Sequence, residues 1–398
     1  MKKIGMMGLC ILLFTAGCAP SFDNGEEVIE ESGSQDETNQ ETAIIPSYNI
    51  DEEEYKVILP YKLSEARGVI VGQIANRLDI DEFEEGLRRH AKDTFDPDQY
   101  YFQEGQYLDE DIIYDWLGRD ESTEEKEEDE ESEVDDSGLN PAIEDAEGKE
   151  TEEKIEDERN NPRYLSHILE HNFLRKESED VVELGGISIG LAMKSNYRFQ
   201  TEIGGPYYYE EISQSEMLKQ GKQIAQEVLD RLRSMEDVPD VPIMIALYRE
   251  EDRGALVPGN FVAKTSVSAN GTTIEDWKTI DEENILFPSD EAEEKYPDDN
   301  DRVEYFERDV AKYFPNYVSV IGNGYYEDGQ LKKMKLEIPI EFKGKAEVVG
   351  FTQYVYGLVM ETFETYHALE INITSNNKQE SLITRDPGQE EPEVHIYE

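Results

Sequence analysis

Cys18 is the residue in this chain whose chemistry is best specified by its neighbours. It follows Thr15, Ala16 and Gly17, an apolar run from Ile4 to Phe14 and the positive start Lys2-Lys3. A charged start, a short apolar stretch and small residues before a cleavage point make a secretory signal peptide, too short and wrongly flanked for a membrane span. Small residues let a peptidase close on an extended backbone, and a thiol supplies the sulfur nucleophile that lipid transfer needs. The segment reads as a lipobox, with cleavage between Gly17 and Cys18 and a diacylglycerol on Cys18. Thr15 stands where most lipoboxes carry Leu.

A second arrangement with chemical content is His167-Ile168-Leu169-Glu170-His171, which has the H-x-x-E-H spacing of inverted zinc proteases. On a helix the two imidazoles lie one turn apart on one face, as two zinc ligands must, and Glu170 polarises the water. This spacing predicts a helix over 163–174. A catalytic zinc needs a third protein ligand, and nothing in the sequence identifies one. The plainer reading is a helix with two boundary histidines, so no catalytic residue, metal or cofactor is assigned. His90 and His367 fall on expected helices and His395 in the tail, none beside a serine or cysteine arrangement. There is no G-x-S-x-G elbow, and the Gly-rich run Leu184 to Gly190 reads as a strand rather than a phosphate loop. Tyr207, Tyr208 and Tyr209 with Trp277 are the residues that would line a carbohydrate or peptide site. Asn372-Ile373-Thr374 matches a glycosylation acceptor but is discounted in a chain with a bacterial lipobox.

Composition narrows the setting. The chain has 398 residues, 93 acidic against 38 Lys and Arg, and a formal charge of −55. That balance argues against an extended basic surface and hence against nucleic acid. It also means that attachment to a membrane rests on lipid, for which a two-chain anchor suffices. Self-repulsion on this scale suits a salt-rich or alkaline setting, where it is screened. The two cysteines, Cys10 and Cys18, are spent on the signal and the anchor, so the body has no disulfide or thiolate metal site.

The elements that position these residues follow from pattern. Residues 1–17 are the signal peptide and 18–47 an acidic disordered tether, with order beginning near Tyr48. An N-terminal α+β region covers 48–118, with strands at Val57 to Leu59 and Gly68 to Ile74. Its main helix has Asp79 as N-cap and buries Ile80, Phe83, Leu87 and Ala91. A short helix covers Glu110 to Leu117. Residues 119–160 form a mobile acidic insertion, anchored at Gly138 to Pro141, whose like charges will not pack. It lacks the spacing of a calcium loop. The C-terminal α+β domain, 161–398, has strands at 184–193, 243–248, 259–267 and 370–373, and a helix capped by Ser213 and Glu216. Further helices cover 301–314 and 350–366. Glu327-Asp328-Gly329-Gln330 joins a hairpin whose second strand alternates in polarity, with Pro339 marking an edge. Residues 393–397 make a last strand. Strands and helices mix without a strict βαβ rhythm and without an internal repeat. The fold class is therefore α+β, a mixed, mainly antiparallel sheet with several packed helices.

Ten segments occur together in a fixed order: LPYKLSEARGVI from Leu59, FEEGL from Phe83, YFQEGQYLD from Tyr101, GLNP from Gly138, YLSHILE from Tyr164, GISIGLAM from Gly186, KQGKQIA from Lys219, VPGNF from Val257, FTQYVYG from Phe351 and EPEVHIYE from Glu391. With them the chain resembles the CamS family of Gram-positive lipoproteins, precursors of a sex pheromone that elicits conjugative plasmid transfer in enterococci. The resemblance implies a non-enzymatic body and an activity that resides in the discarded signal peptide. It implies that the apolar residues before the lipidated cysteine, here Ile11, Leu12, Leu13, Phe14, Thr15, Ala16 and Gly17, are released as the pheromone. A short apolar peptide of this kind can fill an apolar pocket on a receptor in the recipient cell. Ile11 replaces the alanine with which the family peptide begins, and Ala16-Gly17 differs from its closing pair. The implied partners are the membrane through Cys18, the lipoprotein processing enzymes and that peptide receptor. The implied location is the outer face of the cell membrane. The body alone is also consistent with an extracytoplasmic ligand-binding or cell-wall-associated module.

Overall fold

Residues 40–46, 54–120, 138–143, 148–178, 181–313, 319–341, 344–376 and 378–398 are described by the computed structural model. The signal peptide, the candidate heptapeptide, Cys18, most of the tether, Tyr48 and the acidic run 121–137 lie outside these residues. In chain order the elements are β1 (Gln40–Thr42), β2 (Lys56–Val57), α1 (Val69–Gln73), α2 (Arg77–Ala91), β3 (Tyr101–Glu104), α3 (Glu110–Trp116), α4 (Thr151–Asn160), β4 (Leu165–Lys176) and β5 (Val181–Met193). There follow β6 (Asn196–Phe199), β7 (Tyr208–Glu211), α5 (Gln214–Ser234), β8 (Ile243–Arg249), β9 (Asn260–Val267), β10 (Lys278–Thr279), β11 (Glu282–Phe287), α6 (Asp290–Lys295) and α7 (Pro297–Tyr313). The chain ends with β12 (Ile321–Glu327), β13 (Gln330–Pro339), α8 (Lys345–Thr362), β14 (Ala368–Ser375), β15 (Lys378–Arg385) and β16 (Glu393–Ile396). The mixed, mainly antiparallel sheets and packed helices make the fold α+β.

Val181 to Met193 forms the centre of the first sheet, whose order is β10-β9-β8-β5-β4-β3-β2, with β1 beside the start of β5. Ile187, Ile189, Leu191 and Met193 point to one face and pack with Val228, Leu229 and Leu232 of α5. Each such side chain contributes about 1.5–3 kcal/mol by leaving water. The opposite face is cut back to small residues so that α2 can lie close. A Cβ on Gly186 would sit 2.0 Å from Phe95 Cε1, and one on Gly190 would sit 2.8 Å from the Phe83 ring. Phe83, Leu87 and Phe95 are fully buried there with Tyr248 and Phe261. Helix α5 covers the other face and begins as expected, with Ser213 accepting the Glu216 N–H.

Several local readings differ from the sequence expectation. Residues 165–176 are a strand, not a helix. The segment Gly68 to Ile74, read as a strand, contains helix α1, closed by the Ile74 N–H on the Ile70 carbonyl. Its buried residues Val69, Ile70 and Ile74 with exposed Val71 follow helical rather than alternating spacing. Asp79 is not the N-cap of α2. Asn76 is, and Asp79 is fully buried inside the first turn, accepting from Tyr248, Glu251 and Gly259. Within the expected mobile insertion, Thr151–Asn160 is helical, held by a reciprocal capping box between Glu150 and Glu153. The expected anchor at Gly138 to Pro141 is present: Asn140 bonds Leu117 and Leu165, and Gly138 lies against Gly118.

The second sheet runs β11-β12-β13-β14-β15-β16. Leu331, Met334, Leu336 and Ile338 face helices α7 and α8 while the lysines between them face water, so the expected alternation holds. Pro339 does not mark an edge strand. β13 is paired on both sides, antiparallel to β12 and parallel to β14, and Pro339 is merely its last residue. The two sheets meet where Glu282, the first residue of β11, lies beside Arg89 and His90 of α2 and accepts the Tyr325 hydroxyl.

Candidate functional site

The strand conformation of 165–176 changes what the H-x-x-E-H spacing means. Residues four apart on a strand share a face but stand about 13 Å apart. His167 and His171 therefore cannot each approach one zinc to about 2 Å. Glu170 alternates to the opposite face and is consumed by structure. Its carboxylate accepts the backbone N–H groups of Gln106, Tyr107 and Leu108 at 3.1, 3.1 and 2.8 Å. The β3–α3 turn approaches so closely that a Cβ on Gly105 would lie 2.6 Å from Glu170 Cβ. The zinc reading is thereby corrected. Among the described residues no group of three or more His, Cys, Asp or Glu is placed to hold a metal ion.

The two histidines instead line a cleft of about 190 Å³ at the edge of β4. β3 pairs with only residues 171–174 of β4, leaving the earlier residues without a strand neighbour on that side. The segment from Tyr61 to Ile70, helix α2 and the end of β3 close over the gap. Glu104 pins the lid segment: it accepts from the Tyr61 hydroxyl at 2.6 Å and the Ser64 N–H at 2.8 Å, and pairs with Arg67 at 3.5 Å. Glu84 and Arg88 of α2 complete the wall, Arg88 lying over the Phe102 ring.

Inside the cleft the electrostatics are set by burial. His167 and His171 are buried, and desolvation lowers each from the ordinary imidazole range to about 3, with Arg88 adding to the effect at His171. Both rings are neutral at physiological pH. Their edges meet Phe83 and Phe102, and neither Nδ1 has a hydrogen-bond partner. A neutral imidazole offers one donor and one acceptor. The cleft is thus lined by two buried neutral imidazoles beside aromatic rings, with Arg67, Arg88, Glu84 and Glu104 in its walls. That is the chemistry of a small polar ligand site. Among the described residues no serine or threonine hydroxyl bonds a histidine nitrogen, so no Ser-His relay is assembled.

The other candidates are dispersed. Tyr207 and Tyr209 are exposed on the β6–β7 hairpin and Tyr208 packs on Phe199. Trp277 lies under Lys222, so these aromatics do not form one pocket. His367 is in the loop before β14, not on a helix, and its Nδ1 meets the Ala368 carbonyl. His90 lies on α2, against Lys264 and Glu282, and His395 is on β16. Tyr61, Arg67, Glu84, Arg88 and Glu104 were not singled out from the sequence. All but Arg88 lie within the segments LPYKLSEARGVI, FEEGL and YFQEGQYLD, which meet YLSHILE at this cleft.

A large mixed sheet with helices on both faces, a six-stranded second sheet, the β6–β7 hairpin and a small cleft at the edge of β4 define an α+β body. Residues 61–391 match the family described as CamS sex pheromone cAM373 precursor, and the chain belongs to this family. The structure is similar to the sex pheromone precursor of Lactobacillus salivarius, at 30% identity and a TM-score of 0.77, covering 90% of this chain and 99% of that one. It is also similar to the C-terminal domain of the sex pheromone staph-cAM373 precursor of Staphylococcus aureus, at 32% identity and a TM-score of 0.68, covering 82% and 99%. No curated protein sequence matches the chain. Among the described residues no helix is long and apolar enough to cross a membrane.

Proposed function

We propose that the chain is a lipid-anchored precursor of a secreted peptide. Cleavage between Gly17 and Cys18 frees the signal peptide, and a thioether to diacylglycerol holds Cys18 at the outer face of the membrane. Further processing of the signal releases Ile11, Leu12, Leu13, Phe14, Thr15, Ala16 and Gly17 for a peptide receptor in recipient cells. The lipid, not charge, retains the body, because a chain of net charge −55 is repelled by anionic headgroups. What carries this reading is the order of Lys2-Lys3, apolar run, small residues and Cys18 at the head of a chain that belongs to a pheromone-precursor family. Metabolic labelling with a tagged fatty acid tests the anchor. The chain is expected to take up label and the Cys18→Ala variant to take up none. Equal labelling of both, or none of either, contradicts it.

The body is read as a non-enzymatic extracytoplasmic binding module. The observation favouring this is one cleft lined by two buried histidines together with Arg67, Glu84, Arg88 and Glu104. A small neutral molecule with donor and acceptor groups, such as an amide or a sugar, suits two neutral rings that stand too far apart to share one metal ion. Imidazole NMR signals of His167 and His171 followed during titration with such compounds test it. A ligand of the cleft shifts both signals. Compounds that stabilise the protein yet leave both signals unmoved bind elsewhere and speak against it.

A further inference from the structure

A second cleft, of about 340 Å³, lies beyond the start of β4 and does not share the histidines. Its walls hold Arg119, Arg163, Lys194 and Arg198 against one described carboxylate, Glu158. In a chain with 93 acidic and 38 basic residues, four cations on one small concave surface need an explanation. Arg119 has one: it pairs with Glu158 at 2.6 Å and donates to Tyr197 and to the carbonyls of Pro141 and Asn161. The other three have no carboxylate within ion-pair distance among the described residues. Arg163 spends one donor on the Leu117 carbonyl. Arg198 also lines the cleft, and its guanidinium lies 3.3 Å from the centre of the Tyr207 ring, which stiffens it. Lys194 feels the buried Glu250 behind the wall, whose carboxyl burial pushes up toward its neutral form and which accepts the Ser166 hydroxyl.

Three like charges held together cost free energy unless an anion joins them. Guanidinium forks and an ammonium match the oxygens of a phosphate better than a single carboxylate, which one arginine satisfies. The volume is at the scale of a small-molecule site. We propose that this cleft binds a small organic phosphate, its phosphoryl oxygens taken by Arg163, Lys194 and Arg198, and the rest of the molecule lying along Gln73, Phe199 and Gln200. The overall acidity of the chain then acts as a filter, repelling extended polyanions while a compact ligand reaches the pocket.

Calorimetric titration of the full chain in detergent with glycerol 3-phosphate, with glycerol and with sodium sulfate tests this. Glycerol 3-phosphate is expected to bind saturably with a Kd below about 1 mM, weakening with added salt, while glycerol does not bind. Lys194→Ala and Arg198→Ala are each expected to weaken it about tenfold with unchanged ligand-free melting temperature. Lys219→Ala, on the exposed side of α5 beside Glu216, is expected to leave it unchanged. Absence of saturable binding at 10 mM, or equal weakening by Lys219→Ala, overturns the proposal. So does sulfate binding as tightly as glycerol 3-phosphate, which shows an adventitious ion only. The acidic residues 121–137 leave the chain at Asp120, next to Arg119. A chain with those residues removed is expected to bind as the full chain does. Binding seen only after their removal assigns the cleft to the chain's own carboxylates and overturns the proposal as well.

Discussion

The carboxylate of Glu170 accepts the backbone N–H of Leu108 at 2.8 Å. This contact turns a sequence motif with apparent catalytic spacing into a structural clamp. Glu170 is buried, and burial pushes its carboxyl up from the usual range while the three N–H donors of the β3–α3 turn and the Asn172 side chain pull it down. Among the described residues those donors have no other acceptor. The clamp also sets the end of β3, and so the open edge of β4 where the histidine cleft forms.

Glu170→Ala should therefore act on stability. Stranding a buried backbone donor costs about 1–3 kcal/mol; the Leu108 donor is buried and those of Gln106 and Tyr107 are part-buried, so a loss on the order of 3 kcal/mol is expected. Chemical denaturation measures it. Glu170→Gln keeps one acceptor oxygen and should lose less. Equal stability of Glu170→Ala and the parent chain would contradict the clamp.

The histidines give a pH dependence of defined sign. His167 and His171 are lowered to about 3 in the fold, whereas an unfolded imidazole titrates near 6.5. Between these values the unfolded chain binds more protons, so the contribution of both groups to stability falls as pH drops from about 6.5 toward 3. Buried carboxylates raised by burial, such as Glu250, run the other way, so the difference between variants is the informative quantity. The loss of stability on acidification should be smaller in a His167→Asn/His171→Asn chain than in the parent. NMR titration provides the direct check: neither imidazole should titrate between pH 8 and pH 5. Midpoints near 6.5 would refute the buried neutral pair.

Packing of α2 on the first sheet rests on absent side chains. Since a Cβ on Gly186 would sit 2.0 Å from Phe95, Gly186→Ala should cost about 1–3 kcal/mol by overpacking. Phe95→Leu in the same chain should recover part of the loss, because the smaller side chain vacates the space. Thermal melting compares the three. A neutral Gly186→Ala would mean that the Phe95 ring, just beyond the end of α2, has room to move away.

Legibility in the sequence followed exposure. The α2 stripe Phe83, Leu87 and Ala91 and the Ser213 cap of α5 were readable because one side of each helix meets water and the pattern survives. β4 was not readable, because both of its faces are covered. His167 and His171 lie under α2, Ile168 packs in the other core and Glu170 is satisfied by a loop, so no period of two remains. The run Val69-Ile70-Val71 suggested a strand by β-branching, and tertiary packing overrode it. The clefts were harder still. Tyr61, Glu84, Glu104 and His167 come together only through the sheet order β5-β4-β3-β2, and Arg163, Lys194 and Arg198 only through the turn after β5. Order in a chain does not disclose such neighbours when each residue alone looks like solvated charge.

The central claim, a precursor that yields a peptide from its signal, is tested most directly by targeted mass spectrometry of culture supernatant for Ile11 to Gly17. The account predicts the free heptapeptide in cells expressing the chain and its absence when Gly17 and Cys18 are both replaced so that processing stops. Only longer signal fragments, or none, in the supernatant of cells that carry the processed, lipidated body would contradict it.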